Sequence, residues 1–305
     1  MGASEWTLLG LHSTFWGSAF FFAEMAIPEI PALTIAAFRL IPAALVIAGV
    51  CLWLGYRLPA TWREWARLVL LAATNNVTPI LLILWAQREV TGGIAAVFNA
   101  TTPLFGVFLA HAFTHDERLS FVKVTGILVG ISGVAVLVGA DLLGGFDSGG
   151  FAKLALLGAA LCYALSGVYA RQFSQYPAQI LAAGQMIGAL MLSMPIALLV
   201  DQPWTLSPPS AKAAGAVVGM GLFASALAAL CYFTVLKRAG ATNAMLATLL
   251  VPLTPIILGG LFLGETLTPR EITGACIIAL ALLTIDGRLF ARITVPFRRT
   301  DSRYP

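Results

Sequence analysis

Apolar runs long enough to cross a membrane follow one another along the whole chain. They lie at residues 7–27, 33–54, 66–87, 91–113, 121–140, 151–172, 178–200, 212–236, 241–263 and 271–289. A membrane-spanning helix needs about 20 mostly apolar residues. Because 59% of the residues are hydrophobic and only 10% are charged, the chain has too few polar side chains to cover a soluble surface. We therefore predict an all-α membrane protein with ten transmembrane helices.

The second half of the sequence repeats the first. Matching pairs recur at offsets of 146 to 149 residues: Arg39 with Gln185, Pro103 with Pro252, Asn99 with Thr248 and Glu117 with Glu265. Each half contains five of the ten runs, and five is an odd number, so the second half must insert upside down relative to the first. Inverted repeats are common in secondary transporters, which bind their substrates near the membrane midplane between the halves.

The repeat divides the chain into four parts. A first five-helix repeat covers residues 1–140, a linker loop 141–150, a second, inverted repeat 151–289 and a basic tail 290–305. With the N-terminus inside, 13 Lys and Arg residues lie on the inner side and four on the outer side. Cytoplasmic loops carry such an excess of Lys and Arg. We expect a monomer in the lipid bilayer of the inner (plasma) membrane, with both termini in the cytoplasm.

Several other classes of protein are not favoured. The net charge is only +4 and the basic residues lie between apolar runs, so we predict no nucleic-acid partner. His111 and His115 have the i, i+4 spacing of metal ligands but lie at the end of a predicted helix, and we predict no metal and no cofactor. An intramembrane enzyme is an alternative from a different class. It would need a catalytic cluster such as HExxH or paired aspartates within the membrane, and the sequence contains neither.

Three motifs follow one another in an informative order. FWGSAF lies at 15–20, the lone Arg39 lies in AAFRL, and the helices of Pro103 and Pro252 are each followed by a Glu-x-Leu hinge and a glycine-containing helix. Together they resemble the EamA branch of the drug/metabolite transporter superfamily. The resemblance covers almost the whole chain, implies a ten-helix transporter, and within the family suggests the bacterial aromatic amino-acid exporters. The first hinge departs from the family's Gly-Glu pattern, since it reads Asp116-Glu117.

Polar and aromatic side chains at membrane depth are the candidate substrate-binding residues. They are Trp16, Asn75, Asn76, Thr78, Trp85, Asn99, Thr102, Tyr163, Ser166, Tyr232 and Thr248. Trp16 and Tyr163 lie mid-span, away from the interfaces where such rings gather, so facing rings there suit a flat or apolar solute. Adjacent residues on a helix point about 100° apart. One of Asn75 and Asn76 is therefore expected to face the substrate and the other a neighbouring helix, and the sequence leaves open which.

Four residues are candidates for gating. Pro103 and Pro252 each remove a backbone hydrogen bond, which predicts a matched pair of flexible bends, one per half. Glu24 and Arg39 are ionisable residues within predicted spans and lie at similar depth toward the outer side. Ionisable residues in membranes are costly and usually functional. We therefore predict that Glu24 and Arg39 pair with each other or share water in an outer vestibule.

These patterns and the resemblance together indicate a function. We predict a secondary transporter, by resemblance an exporter, of small organic metabolites, chiefly amino acids including aromatic and apolar ones. Alternating access between the inverted repeats would move the solute. By resemblance, small proton-coupled drug exporters carry an acid at the middle of the first helix, where this sequence has Trp16 and Gly17. That difference favours neutral or zwitterionic solutes. Export of hydrophobic or cationic drugs is the alternative, and the sequence leaves proton coupling open.

Overall fold

The computed structural model describes residues 2–113, 121–138, 148–239 and 247–286, and all regular structure in these ranges is helical. The first half contains α1 (Ala3–Ala26), α2 (Ala32–Phe38), α3 (Leu40–Trp53), α4 (Trp62–Ala72), α5 (Thr78–Ala86), α6 (Gly92–Asn99), α7 (Thr102–Phe113) and α8 (Phe121–Val138). The second half contains α9 (Ser148–Ala170), α10 (Ala178–Val200), α11 (Ala211–Gly219), α12 (Ala228–Ala239), α13 (Ala247–Leu250), α14 (Leu253–Leu258) and α15 (Pro269–Asp286). The described residues do not include the hinge at Asp116-Glu117, the histidine at 115, most of the linker loop or the basic tail.

Six helical stretches are long and apolar enough to cross a membrane. They are Ala32–Trp53, Trp62–Ala86, Gly92–Leu109, Gly149–Phe173, Ala178–Val200 and Ala211–Tyr232. Two shorter apolar helices, Val124–Leu137 and Leu253–Leu263, accompany them. The prediction of an all-α, multi-span membrane protein is confirmed, because each of these stretches coincides with one of the predicted apolar runs.

Three of the helical rods change from α to π geometry part of the way along. The π segments are Ala73–Val77 between α4 and α5, Met220–Leu227 between α11 and α12, and Gly259–Leu263 after α14. A π segment adds a residue to a helical turn and occurs frequently at functional sites. The first two segments are placed alike in the two halves, since α4–α5 and α11–α12 are the third helical rod of each half.

Proline interrupts the fourth helical rod of each half. Between α6 and α7 the helix breaks at Ala100 and Thr101, just before Pro103. Pro103 has no N–H to give the carbonyl of Asn99 four residues earlier, and the hydroxyl of Thr102 donates to that carbonyl instead, at 2.7 Å. In the second half, Pro252 lies in the break between α13 and α14. The predicted bends therefore coincide with real interruptions of both helices.

The helices pack across the two halves in reciprocal pairs. Helix α1 packs against α12, α14 and the Met220–Leu227 segment, while its counterpart α9 packs against α5, α6 and α7. Helix α10 packs against α2, α3 and α4, and α3 in turn packs against the Met220–Leu227 segment. Helices α8 and α15, the last of each half, pack against each other. Each half is therefore completed by the other, as expected of two similar units related by a two-fold axis.

Glycines allow the closest approaches between the halves. A Cβ atom on Gly17 of α1 would lie 2.5 Å from the carbonyl oxygen of Val251. A Cβ atom on Gly221 would collide with the carbonyl oxygen of Arg39. Small residues let membrane helices approach until their backbones touch. The two halves are thus in backbone contact along the surface between them, and that surface contains most of the candidate site residues.

Candidate functional site

Four aromatic rings form a row in the interior of the bundle. His12 and Trp16 belong to α1, Tyr232 to α12 and Tyr163 to α9. The His12 ring centroid lies 5.3 Å from that of Tyr232 and 5.7 Å from that of Trp16. Trp16 meets Tyr163 edge to face, with centroids 6.4 Å apart and planes at 86°, an arrangement that aromatic quadrupoles favour. The row links the first helix of one half to two helices of the other.

A small cavity of about 20 Å³ lies beside this row. Trp16, Phe20, Gln87 and Tyr163 are among its lining residues. The Gln87 amide donates to the Phe20 carbonyl at 2.9 Å, whereas its own carbonyl oxygen is buried without a partner. A cavity of this size has room for about one water molecule. The packing therefore leaves little space beside the aromatic row, and one buried polar acceptor there has no partner among the described residues.

A chain of polar side chains crosses the bundle at about the same depth. The Ser166 hydroxyl donates to the Asn75 side-chain oxygen at 2.9 Å. The side-chain amides of Asn75 and Asn76 both donate to the Gln185 oxygen, at 2.6 and 3.1 Å. We expected one of the two asparagines to face the substrate, but both bond α10. The Ala73–Val77 π segment separates successive side chains by less than the 100° of an α-helix, so both amides reach the same partner.

Arg39 extends this chain into the second half of the protein. Its side chain is only 5% exposed. One terminal nitrogen donates to the backbone carbonyl of Asn76 at 3.0 Å and the other to the hydroxyl of Ser225 at 2.8 Å. Asn76 and Ser225 lie in matching π segments, 149 residues apart, which is the offset that relates Pro103 to Pro252. Arg39 therefore bridges two equivalent positions of the repeat.

The predicted pairing of Glu24 with Arg39 is wrong. Glu24 instead accepts the backbone N–H of Gly92, and its carboxyl group lies beside that of Glu265. Gly92 begins α6, and the first N–H groups of a helix have no partner within the helix and favour a negative charge. The two ionisable residues lie at similar depth but point to different neighbours, because depth does not specify rotation about the helix axis.

The other predicted site residues are divided between the interior and the exposed surface. Asn99 is 5% exposed, and its side-chain oxygen has no partner. Thr102, Tyr232 and Thr248 are partly buried. Trp85 is 43% exposed, and Thr78 is also exposed. The structure thus joins Trp16, Asn75, Asn76, Tyr163, Ser166, Arg39 and Tyr232 into connected clusters, and it leaves Trp85 and Thr78 outside them.

Hydrogen bonds join the two halves at both ends of the bundle. At one end, Thr34 donates through its N–H and its hydroxyl to Asp201, both at 2.8 Å. At the same end, Ser210 donates to Glu29 through its N–H and its hydroxyl, and these bonds lower the pKa of that carboxyl group. Helices α2 and α3 cross the bundle between Thr34 and Arg67, so Arg67 lies at the opposite end. There its side chain donates to the Gln172 side-chain oxygen at 3.1 Å. Side chains of the two halves are therefore hydrogen-bonded to each other at both ends of the bundle.

Four residues of the interior were not among the predicted site residues: His12, Gln87, Gln185 and Ser225. A signal existed for Gln185, because it matches Arg39 in the repeat and is polar at membrane depth. Ser225 had the same kind of signal through its match with Asn76. Buried His12 bonds the Ala228 carbonyl through one ring nitrogen at 2.8 Å, and its other ring nitrogen is buried without a partner.

The fold has two similar helical halves. Helices are interrupted at matching positions in both halves, and polar and aromatic side chains line the interior between them. Among the described residues no group of three or more metal-ligating side chains is present. The interior contains hydrogen-bonding side chains and aromatic rings. The fold is therefore that of a helical membrane protein with two similar halves, a construction common among secondary transporters.

The chain belongs to the EamA-like transporter family, whose model matches residues 5–139 and 150–285. The family carries two EamA repeats, and its relatives are drug/metabolite transporters. The match places the protein among transporters rather than enzymes.

Three relatives of known name and one solved structure are similar to this chain. An uncharacterized inner membrane transporter of Escherichia coli, YedA, is 27% identical over 90% of this chain and 89% of its own. A WAT1-related chloroplastic protein of Arabidopsis thaliana is 27% identical over 92% of this chain and 69% of its own. A "Probable terminal-alkyne amino-acid exporter" of Streptantibioticus cattleyicolor is 25% identical over 96% of both chains. A protein crystal structure matches with a TM-score of 0.67 at 21% identity, over 96% of this chain and 99% of that one.

Proposed function

We propose that the protein is a secondary transporter that exports amino acids, including aromatic and apolar ones, by alternating access between two inverted repeats. The observation that carries this proposal is the aromatic row of His12, Trp16, Tyr163 and Tyr232 beside the chain of amides and hydroxyls. An aromatic or apolar amino acid needs both kinds of surface, since its side chain is apolar while its amino and carboxylate groups are polar. The printed name of the Streptantibioticus cattleyicolor relative supports the same class of substrate.

The proposed mechanism uses the two sets of hydrogen bonds that close the bundle. In the closed structure Thr34 and Asp201 tie the halves at one end, and Arg67 and Gln172 tie them at the other. Breaking one set while the other holds would open the aromatic row to one side of the membrane only. The proline breaks at Pro103 and Pro252 are where the fourth rod of each half would bend. Alternation between the two open states moves the solute across.

The orientation we propose follows the distribution of basic residues. Ten spans place both termini in the cytoplasm of a monomer in the inner membrane, with the end tied by Thr34 and Asp201 outside. We propose export because the Streptantibioticus cattleyicolor relative is named as a probable exporter. The arrangement of the binding groups is compatible with transport in either direction.

Counterflow in liposomes that contain only this protein tests the proposal. Vesicles preloaded with an unlabelled amino acid are diluted into a trace of labelled L-phenylalanine, with and without a pH gradient. We expect transient accumulation of label, strongest for aromatic and apolar amino acids. Protein-free vesicles are the control. Absence of counterflow for every amino acid would overturn the proposal, and flux of a hydrophobic cation such as ethidium in its place would establish the drug exporter.

A further inference from the structure

Arg39 is a cation buried at membrane depth, and it has no charged partner among the described residues. It is the eighth residue of the span that begins at Ala32, which places it about 10 Å along the helix at 1.5 Å per residue. Burial of a charge is costly unless the charge is paired. Within the described ranges no carboxylate bonds this guanidinium: Glu24 is held by Gly92, and Asp201 by Thr34. Both of its hydrogen-bond partners are neutral oxygens.

The guanidinium also has unused hydrogen-bonding capacity. An arginine side chain carries five N–H donors in a planar fork. Two of its nitrogens donate, to Ser225 and to the Asn76 carbonyl, while the nitrogen nearest the chain, Nε, is buried without a partner among the described residues. An unpaired buried donor costs free energy that a bound acceptor would recover. The unpaired Nε lies on the edge of the fork from which arginine binds a carboxylate in a bidentate manner.

The surroundings of Arg39 connect it to the aromatic row. Arg39 donates to the Asn76 carbonyl, the Asn76 and Asn75 side chains share the Gln185 oxygen, and Ser166 donates to the Asn75 side chain and to the Tyr163 carbonyl. Tyr163 also lines the small cavity. Ser225, which accepts from Arg39, donates in turn to the carbonyl of Met220 at 3.1 Å, and Met220 lines the same cavity. A solute between Trp16 and Tyr163 would therefore lie next to the groups that hold the guanidinium.

The two acceptors of Arg39 belong to different halves of the protein. Asn76 lies in the π segment of the first half and Ser225 in that of the second. When the halves separate, the distance between these acceptors must change, and Arg39 cannot keep both bonds. An opened site then presents a cation with free donors, and a carboxylate supplies both an opposite charge and two acceptors.

We propose that Arg39 binds the carboxylate of the transported solute, so that the site selects organic carboxylates over the corresponding amides and amines. The proposal rests on the proposed function and names the group by which that site would recognise its substrates. It also refines the expectation of neutral or zwitterionic solutes: amino acids remain substrates, and simple carboxylates join them, whereas cationic drugs are excluded.

Competition and thermal-shift measurements on the full-length protein test the role of Arg39. The probes are L-phenylalanine, 3-phenylpropionate, which lacks the amine, and L-phenylalaninamide, which lacks the carboxylate. In the wild type we expect 3-phenylpropionate to inhibit labelled phenylalanine exchange and raise the melting temperature, while the amide does neither. Arg39→Gln should weaken both carboxylates by about 30-fold or more, the effect of removing one partner of a buried charged hydrogen bond, and abolish the discrimination against the amide.

Two further variants separate recognition from folding. Arg39→Lys keeps a cation and should keep the preference for carboxylates with weaker affinity. Arg57→Gln removes the same charge from an exposed loop position and should behave as the wild type. If Arg39→Gln does not fold, the wild type alone decides, because equal competition by phenylalanine and its amide would overturn the proposal.

Failure of this proposal and failure of the proposed function give different results. If no amino acid exchanges but 3-phenylpropionate stabilises the wild type and not Arg39→Gln, the function is wrong and Arg39 is still a carboxylate site. If amino acids exchange, and Arg39→Gln and the wild type discriminate equally against the amide, the proposed function stands and the proposed role of Arg39 is wrong. If no probe is exchanged and no probe stabilises the protein, both proposals are overturned.

Discussion

The rings of Trp16 and Tyr163 meet edge to face beside the closed cavity, and at the residue scale they are the expected contacts for an aromatic solute. Trp16→Ala or Tyr163→Ala should weaken exchange of phenylalanine by about 3- to 10-fold relative to alanine, because an aromatic pair contributes about 0.5–1.5 kcal/mol. Relative exchange rates in liposomes measure this. Trp85→Ala, at an exposed ring, is the matched control, and an equal loss of phenylalanine preference in that variant would contradict the assignment.

Asn99 differs from these rings because its side-chain oxygen is buried without a hydrogen-bond partner among the described residues. An unsatisfied buried polar group costs about 1–3 kcal/mol, so Asn99→Leu should raise the melting temperature. The same change should slow exchange by about tenfold if the amide bonds the solute, which corresponds to one hydrogen bond of about 1.4 kcal/mol. Ser132→Leu, on an exposed helix face, should not slow exchange. A destabilised Asn99→Leu protein would show that the amide is a structural group.

At the element scale, the contact between α8 and α15 depends on a glycine. A Cβ atom on Gly274 would lie 2.9 Å from the Leu137 Cβ and 3.0 Å from its backbone. Backbone cannot move aside cheaply, so Gly274→Ala should lower the free energy of unfolding by about 1–3 kcal/mol. Gly49→Ala, in α3 with nothing within 4 Å of the new atom, should instead stabilise by up to about 1 kcal/mol. Thermal unfolding in detergent compares the two, and equal effects would argue against this packing.

The proline breaks are also properties of elements. Pro103→Ala and Pro252→Ala restore an N–H donor and should favour a continuous helix. We expect the maximal exchange rate to fall by about tenfold, a barrier increase of about 1.4 kcal/mol, with half-saturation changed by less than about twofold, because the change affects bending and not the binding groups. Pro269→Ala is the control, since a proline at the first position of a helix such as α15 obstructs nothing. Unchanged rates in both break variants would make the breaks static bends.

At the scale of the whole molecule, the decisive property is the direction in which each half inserts. Reporter fusions to alkaline phosphatase, which is active only outside the cytoplasm, measure it. We expect activity for fusions within 88–91 and 201–210 and none within 54–61, within 174–177 or after residue 286. The asymmetry of Lys and Arg is the physical reason. Activity at 54–61, or the same side for 54–61 and 201–210, would contradict the inverted arrangement.

The hydrogen bonds that join the two halves are another property of the whole molecule. Both ends are tied between the halves, through Thr34 and Asp201 at one end and Arg67 and Gln172 at the other. The cavity beside the aromatic row has room for about one water, so an amino acid fits beside Trp16 and Tyr163 only if the packing around these rings opens. In the proposed mechanism, breaking one set of hydrogen bonds between the halves provides that opening.

The sequence by itself determined the membrane class, the repeat and the family resemblance. A membrane interior forces each span to satisfy its own backbone hydrogen bonds, so apolar runs translate directly into helices without knowledge of their neighbours. The breaks at Pro103 and Pro252 were predictable for the same local reason. Mid-span Trp16, Tyr163 and Arg39 were recognisable as unusual because their depth follows from position in the run.

Only the tertiary structure decided which of these residues meet. Glu24 and Arg39 share a depth, yet Glu24 points to the N-terminus of α6 and Arg39 to Asn76 and Ser225. Rotation about a helix axis depends on packing against the other half, and the π segments shift that rotation further, so Asn75 and Asn76 bond the same partner. Apolar patterning does not specify rotation when all faces of a helix are apolar. For that reason the unpaired cation and its neighbours became visible only in the folded protein.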